Sequence, residues 1–238
     1  MKKVVAIALA LATLVASYAV ADDDAVYSVN TIGVVKYTIP PQGKMTCISV
    51  PLNTPPDVVS DTWGNTSIAA QLQPGSTVFF WNETNQTWSS TFTKGEDGTW
   101  AARAANRVMR PGEAFFVKSP STATEDHIVS YVGELNLDDT AEIALSGANN
   151  LNAIGCSRYP VGGKFGDTFL ATNVTPGSSI YFWNNGNQTW GSVFTRSADG
   201  TWAARASNYV VNVGSGVFVK DAGEGHILEE SRPFDFAE

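Results

Sequence analysis

Few side chains in this sequence combine a type and a spacing suited to chemistry. Two cysteines, Cys47 and Cys156, and two histidines, His127 and His226, are its only thiol and imidazole groups. A metal site needs such groups clustered, as in Cys-x-x-Cys or His-x-His, and neither spacing occurs. Gly-x-Ser-x-Gly, His-Glu-x-x-His and phosphate-cradling glycine loops are absent as well. Glycoside hydrolysis requires two carboxylates facing one another across a cleft. The acids that recur, Asp61 with Asp167 and Asp97 with Asp199, all stand in turn-like contexts. The sequence therefore predicts a protein that is not an enzyme, with no catalytic residue, cofactor or metal ligand. What remains is aromatic. Trp88 and Trp190 close Asn-Gln-Thr-Trp runs that begin at Asn85 and Asn187. A flat ring stacks on a sugar face while amides bond hydroxyls, so Trp88, Trp190, Asn85 and Asn187 are the candidates for ligand stacking. The plainer alternative is hairpin packing.

These residues recur because the sequence is written twice. Gly75-Ser-Thr-Val-Phe-Phe-Trp81-Asn82 returns as Gly177-Ser-Ser-Ile-Tyr-Phe-Trp183-Asn184, and Asp97-Gly-Thr-Trp100-Ala-Ala-Arg103-Ala returns as Asp199-Gly-Thr-Trp202-Ala-Ala-Arg205-Ala. The separation is 102 residues, without a gap, from Gly75 to Lys118. Six of the seven tryptophans fall at repeated positions, so most of the tryptophan is one motif in two copies. With gaps, Cys47 aligns with Cys156, Asp61 with Asp167 and His127 with His226. The cysteines then occupy equivalent places on a core strand. Two free buried thiols are expected, with a disulfide the alternative if both lie near the axis relating the copies.

The elements that must position these residues read as strands. Thr77-Val-Phe-Phe-Trp81, a polar turn, and Thr87 to Thr93 form a hairpin signal. In the second copy the turn contains Asn185-Gly186, a dipeptide that tolerates positive φ. Ala114-Phe-Phe-Val117 and Val217-Phe-Val219 are further strand runs, and Ile68 to Leu72 has room for a helical turn or two. Trp81 and Phe79 share one face of their strand and Val78 and Phe80 the other, so both faces are apolar and the strand is expected to be buried on both. The segment from His127 to Leu135 resembles both a last and a first strand, as though one strand closed the first copy and opened the second. The fold class is all-β: two tandem, homologous small β-sandwich or β-barrel modules, 22–127 and 128–238, after a cleaved signal peptide, 1–21.

That signal is read from Lys2-Lys3, the apolar run Val4 to Ala16 and the small-x-small site Ala19-Val20-Ala21. Its removal takes two lysines and no acids, leaving 217 residues with a net charge of −10. Such acidity disfavours nucleic acid as a partner, and no later segment is apolar enough to insert in a membrane. The expected location is secreted, extracellular or at the cell surface, with the periplasm as an alternative.

Tyr27-Ser-Val-Asn-Thr-Ile-Gly33-Val-Val, Ile48-Ser-Val-Pro51-Leu-Asn53, Trp81-Asn82, Arg110-Pro-Gly-Glu-Ala-Phe-Phe-Val-Lys118 and Tyr131-Val-Gly-Glu134 together resemble a tandem-repeat secreted β-module of environmental bacteria. The resemblance spans nearly the whole mature chain and implies export and duplicated architecture. The second copy departs from the pattern, with Asn212-Val-Gly-Ser in place of Arg110-Pro-Gly-Glu. The expected function is that of a non-catalytic exported structural or surface protein. It would self-associate into an extracellular layer, fibre or matrix through an edge strand carrying Tyr27, Val29, Val34, Val35 and Tyr37. The alternative is a carbohydrate-binding module whose partner is a polysaccharide.

Overall fold

The computed structural model describes residues 31–55, 60–147 and 150–234. The expected signal segment and the edge positions Tyr27 and Val29 lie outside the described residues. The fold is all-β. In chain order the strands of the first half are β1 (Ile32–Ile39), β2 (Met45–Ser49), β3 (Thr77–Asn82), β4 (Thr87–Trp88), β5 (Phe92–Thr93), β6 (Ala114–Lys118) and β7 (His127–Glu134). Those of the second half are β8 (Thr140–Leu145), β9 (Leu151–Gly155), β10 (Gly163–Lys164), β11 (Ser179–Asn184), β12 (Thr189–Thr195), β13 (Val210–Val211), β14 (Gly216–Lys220) and β15 (His226–Ser231). Short helices α1 (Ser67–Gln71), α2 (Ala102–Ala105), α3 (Phe169–Asn173) and α4 (Ala204–Ser207) fill the connections.

All pairing is antiparallel and follows the same plan in both halves. β2-β6-β3 is extended by β4 and β5, and β9-β14-β11 is extended by β12. Each of these sheets faces a two-stranded ribbon, β1–β7 or β8–β15. Alternation explains the ribbons: Val35, Tyr37 and Ile39 of β1 point inward while Ile32, Val34, Lys36 and Thr38 point to solvent. Gly33 and Gly133 face each other in this register. A Cβ on Gly133 would lie 2.7 Å from the Cβ of fully buried Leu52, so only glycine fits under that plug.

Three apolar clusters result. One lies between the first ribbon and its sheet around Trp63, Phe80, Phe115 and Tyr131, and one lies in the second half around Phe165, Ile180, Phe182 and Leu228. The third lies between the two sheets and takes Cys47, Ala114 and Phe116 from one half and Ala153 and Phe218 from the other. The described residues accordingly cluster as one compact unit. The second apolar face of β3 is the face turned to this shared seam.

Register corrects several of the gapped correspondences. Met45 pairs with Lys118, and Leu151 pairs with Lys220. Since Lys118 and Lys220 are equivalent, Cys47 corresponds to Ala153, and Cys156, just beyond β9, corresponds to Val50. Sliding a strand within a gapped alignment changes nothing in its composition, so only pairing reveals the shift. Likewise Trp63 N–H donates to Arg107 O and Phe165 N–H to Tyr209 O, which matches Trp63 with Phe165 and Asp167 with Asn65, not with Asp61. β7 pairs along its whole length with β1, and β8 takes the corresponding place beside β15, so no strand serves both halves. In the second hairpin turn the positive-φ residue is Gln188, matching Gln86, and not Gly186.

Candidate functional site

The seam is built by alternation. On β3, Phe79 and Trp81 turn toward it, as do Phe116 on β6 and Tyr181, Trp183 and Phe218 in the second half. Trp81 Nε1 donates to Leu151 O at 2.8 Å, and Trp183 Nε1 donates to Met45 O at 3.0 Å. Each indole thus grips the first residue of the opposite half's first sheet strand. Gln86 and Gln188, held at φ 53° and 55°, reinforce the grip. The Gln86 amide accepts from Leu151 N at 2.7 Å and donates to Leu151 O at 3.1 Å. Gln188 does the same to Met45 at 2.6 and 3.0 Å. A side-chain amide here replaces a backbone neighbour in a strand ladder.

Trp88 and Trp190 lie on the rim of this seam, 40% and 38% exposed. Both rings pack on both Phe116 and Phe218, with centroids 5.0–5.6 Å apart. Trp88 is edge-on to Trp81 at 73°, and Trp190 is edge-on to Trp183 at 79°. The structure therefore brings the two predicted stacking residues onto one aromatic rim. Asn85 and Asn187 are exposed in the adjoining turns, where their backbone amides donate to the side-chain oxygens of Asn82 and Asn184 at 2.9 Å.

The predicted assembly residues fall on β1, with Val34 exposed and Val35 and Tyr37 buried. Tyr37 OH donates to Ser49 O at 2.7 Å, which fixes this strand against β2. Backbone direction can be read from β7. Its Glu134 exchanges N–H and C=O bonds with Asn53, and Ser130 and Val132 are bonded by the side chains of Ser67 and Gln71 on α1. Even-numbered residues of β7 thus point their backbone groups away from β1. Through the register, Ile32, Val34, Lys36 and Thr38 of β1 point theirs away from β7. Those groups have no partner among the described residues. On β8 one outward group is engaged: Glu142 O accepts from Arg158 Nη1 at 2.8 Å. On β15, Ile227, Glu229 and Ser231 correspond to Ile128, Ser130 and Val132, and no α3 side chain reaches them: Phe169 replaces Ser67, and the amide of Asn173 turns back to Phe169 O. Among the described residues the outward backbone groups of β1 and β15 are without partners.

The remaining candidates are quiet. Cys47 and Cys156 are free and buried. Burial pushes the Cys156 thiol up to about 12 and Cys47 higher still. Asp97 and Asp199 accept from the amide and hydroxyl of Thr99 and Thr201, which lowers both carboxyls and marks the segments as turns. His127 Nε2 lies 2.8 Å from Gln71 O, and no group of three or more metal-ligating side chains occurs among the described residues. Sequence reasoning overlooked a cleft beside the seam that gathers Arg103, Arg107, Arg110 and Arg158. The signal was available in the departure of Asn212-Val-Gly-Ser from Arg110-Pro-Gly-Glu. Comparison with known proteins finds no matching family model, curated protein or solved structure.

Proposed function

We propose that the chain is a non-catalytic exported structural protein: two tandem, homologous β modules behind a cleaved signal peptide that self-associate end to end through strand edges. The observation that carries this reading is that the outward edges of β1 and β15 are unpaired among the described residues, whereas side chains of α1 cover the edge of β7. An eight-residue open strand with exposed Ile32 and Val34 on its outer face is a template for strand addition. Charge favours joining β1 of one copy to β15 of the next. Glu229 stands directly opposite Glu142 on the second ribbon, a like-charge pair that is unfavourable within a sheet. In an antiparallel junction, Lys36 of a neighbouring copy would lie against Glu229 and relieve it.

Sedimentation of residues 22–238 over a wide concentration range, with and without calcium, tests the reading. Assembly is expected to be weakened by Lys36→Glu and by Glu229→Lys, and restored in the double variant. A strict monomer at high concentration overturns it.

A second reading rests on the exposed rim. Trp88 and Trp190 present a shared aromatic surface to a polysaccharide. Trp88→Ala with Trp190→Ala should abolish retention on an immobilised glycan while far-UV dichroism stays unchanged. Failure of the wild type to bind any member of a broad glycan panel removes this reading.

A further inference from the structure

A cleft of about 680 Å³ opens beside the seam, between the Arg103–Glu113 segment of the first half and β8, β9 and Arg158 of the second. In a chain of net charge −8 it collects four of the seven arginines. Two of these are committed. Arg107 forms a bidentate ion pair with Glu113 and lies over the Phe80 ring at 4.1 Å. Arg158 donates through Nη1 to Glu142 O, yet its Nε is buried with no partner. The guanidinium groups of Arg103 and Arg110 are exposed and form no hydrogen bond or ion pair among the described residues. Two free planar forks and an orphaned N–H therefore share one concave surface.

The second half supplies an internal control. At the positions equivalent to Arg107, Arg110, Glu113 and Glu83 stand Tyr209, Asn212, Ser215 and Asn185. Tyr209 stacks on Phe182 at 3.9 Å, where Arg107 stacks on Phe80. The scaffold thus folds the same way without these charges, so structure alone does not require them. Of the first-half charges lining the cleft, Arg103 alone recurs, as Arg205.

The geometry points to a binding site for a carboxylate-bearing saccharide, a uronic acid residue of a polysaccharide, with its carboxylate on Arg103 and Arg110. Guanidinium groups bind carboxylates through paired, charge-assisted hydrogen bonds. The cleft volume lies in the range of small-molecule sites. Glu83, Thr84 and Ser89 on the same wall suit hydroxyl groups, and a wall containing Glu83 and Glu113 disfavours a multiply charged phosphate. Burial, with Glu113 nearby, raises the Glu83 carboxyl above its usual range. This site does not rest on strand-edge assembly, and the arginine variants distinguish it from the Trp88–Trp190 rim.

The test is calorimetric titration of residues 22–238 with trigalacturonate, its methyl ester and inorganic sulfate. Saturable binding of trigalacturonate is expected, at least about tenfold weaker for the ester and for Arg103→Ala with Arg110→Asn, and unchanged for Arg205→Ala in the second half. Arg110→Asn copies the residue of the second half, so the fold is retained, and thermal unfolding checks it. Absence of saturable binding at millimolar trigalacturonate, or binding indifferent to the arginine changes, overturns the assignment. Sulfate competing with equal affinity overturns the saccharide and leaves a site for any anion.

Discussion

At the scale of single residues, four acids of this chain, Glu83, Asp97, Asp199 and Glu230, pull stability in opposite directions. Glu230 is buried, where its carboxylate accepts from Ser157 Oγ at 2.5 Å and Arg158 N at 2.6 Å. Burial outweighs these bonds and raises its carboxyl above the ordinary value of 4.5, as burial does for Glu83. A carboxyl raised on folding binds its proton more tightly in the native state, so its contribution is complete below pH 4.5 and is lost as pH climbs through the folded value. Asp97 and Asp199 are depressed below 3.8 by their threonine hydrogen bonds, and their contribution disappears as pH falls through that lower range. The thermal midpoint should therefore rise as pH is lowered towards 4.5, then fall once pH drops below 3.8. Relief of repulsion in an acidic chain acts in the same upper window. Glu83→Gln with Glu230→Gln separates the two causes, since it should flatten the upper limb if the raised carboxyls produce it. An unaltered slope in that variant assigns the effect to net charge.

At the scale of elements, the ungapped repeat from Gly75 to Lys118 made β3, β6, β11 and β14 legible, because β-branched and aromatic runs between turn residues leave few alternatives. The two apolar faces of β3 were legible too, although the partner of the second face was not. Composition says that Phe79 and Trp81 are covered, while only long-range pairing says that the cover is the other half. Equivalence of Cys47 with Cys156 failed for a related reason: each stands four residues before a proline, Pro51 and Pro160, which is a local spacing, whereas strand register is a long-range property. The open edges were least legible. Whether the last strand of a half is covered, as β7 is and β15 is not, depends on whether a helix five residues long carries Ser67 and Gln71 or Phe169 and Asn173. That difference yields a prediction. Ser67→Ala with Gln71→Ala strips the cover from Ser130 and Val132 of β7 and leaves its backbone groups unpaired. The cost should be about 1–3 kcal/mol in urea unfolding. Light scattering should show faster association than in the wild type, because a further edge is open. Unchanged scattering would mean that an unpaired edge on this ribbon does not drive association, which bears directly on the role proposed for β1.

For the molecule as a whole, the decisive feature is the seam. Phe79, Trp81 and Phe116 face Tyr181, Trp183 and Phe218, and the Gln86 and Gln188 clamps cross in both directions. Separating the halves would hydrate all of these rings and break both clamps at once. At about 25 cal/mol per Å² of apolar surface, half a dozen aromatic side chains outweigh the rigid-body freedom that two tethered halves would gain. The halves should consequently unfold together. The two thiols can report this, since they lie in different places: Cys47 in the seam cluster and Cys156 in the second core. Thiolates are the reactive form, and burial raises both thiols far above neutrality, so labelling requires opening. In increasing denaturant, Cys47 and Cys156 should label at a single rate, coincident with the loss of native tryptophan fluorescence. In Gln86→Ala with Gln188→Ala, Cys47 should label ahead of Cys156, because the seam loosens before the second core opens. If Cys47 leads in the wild type, the halves part before they unfold, and the chain behaves as two modules that touch instead of one body with a shared core.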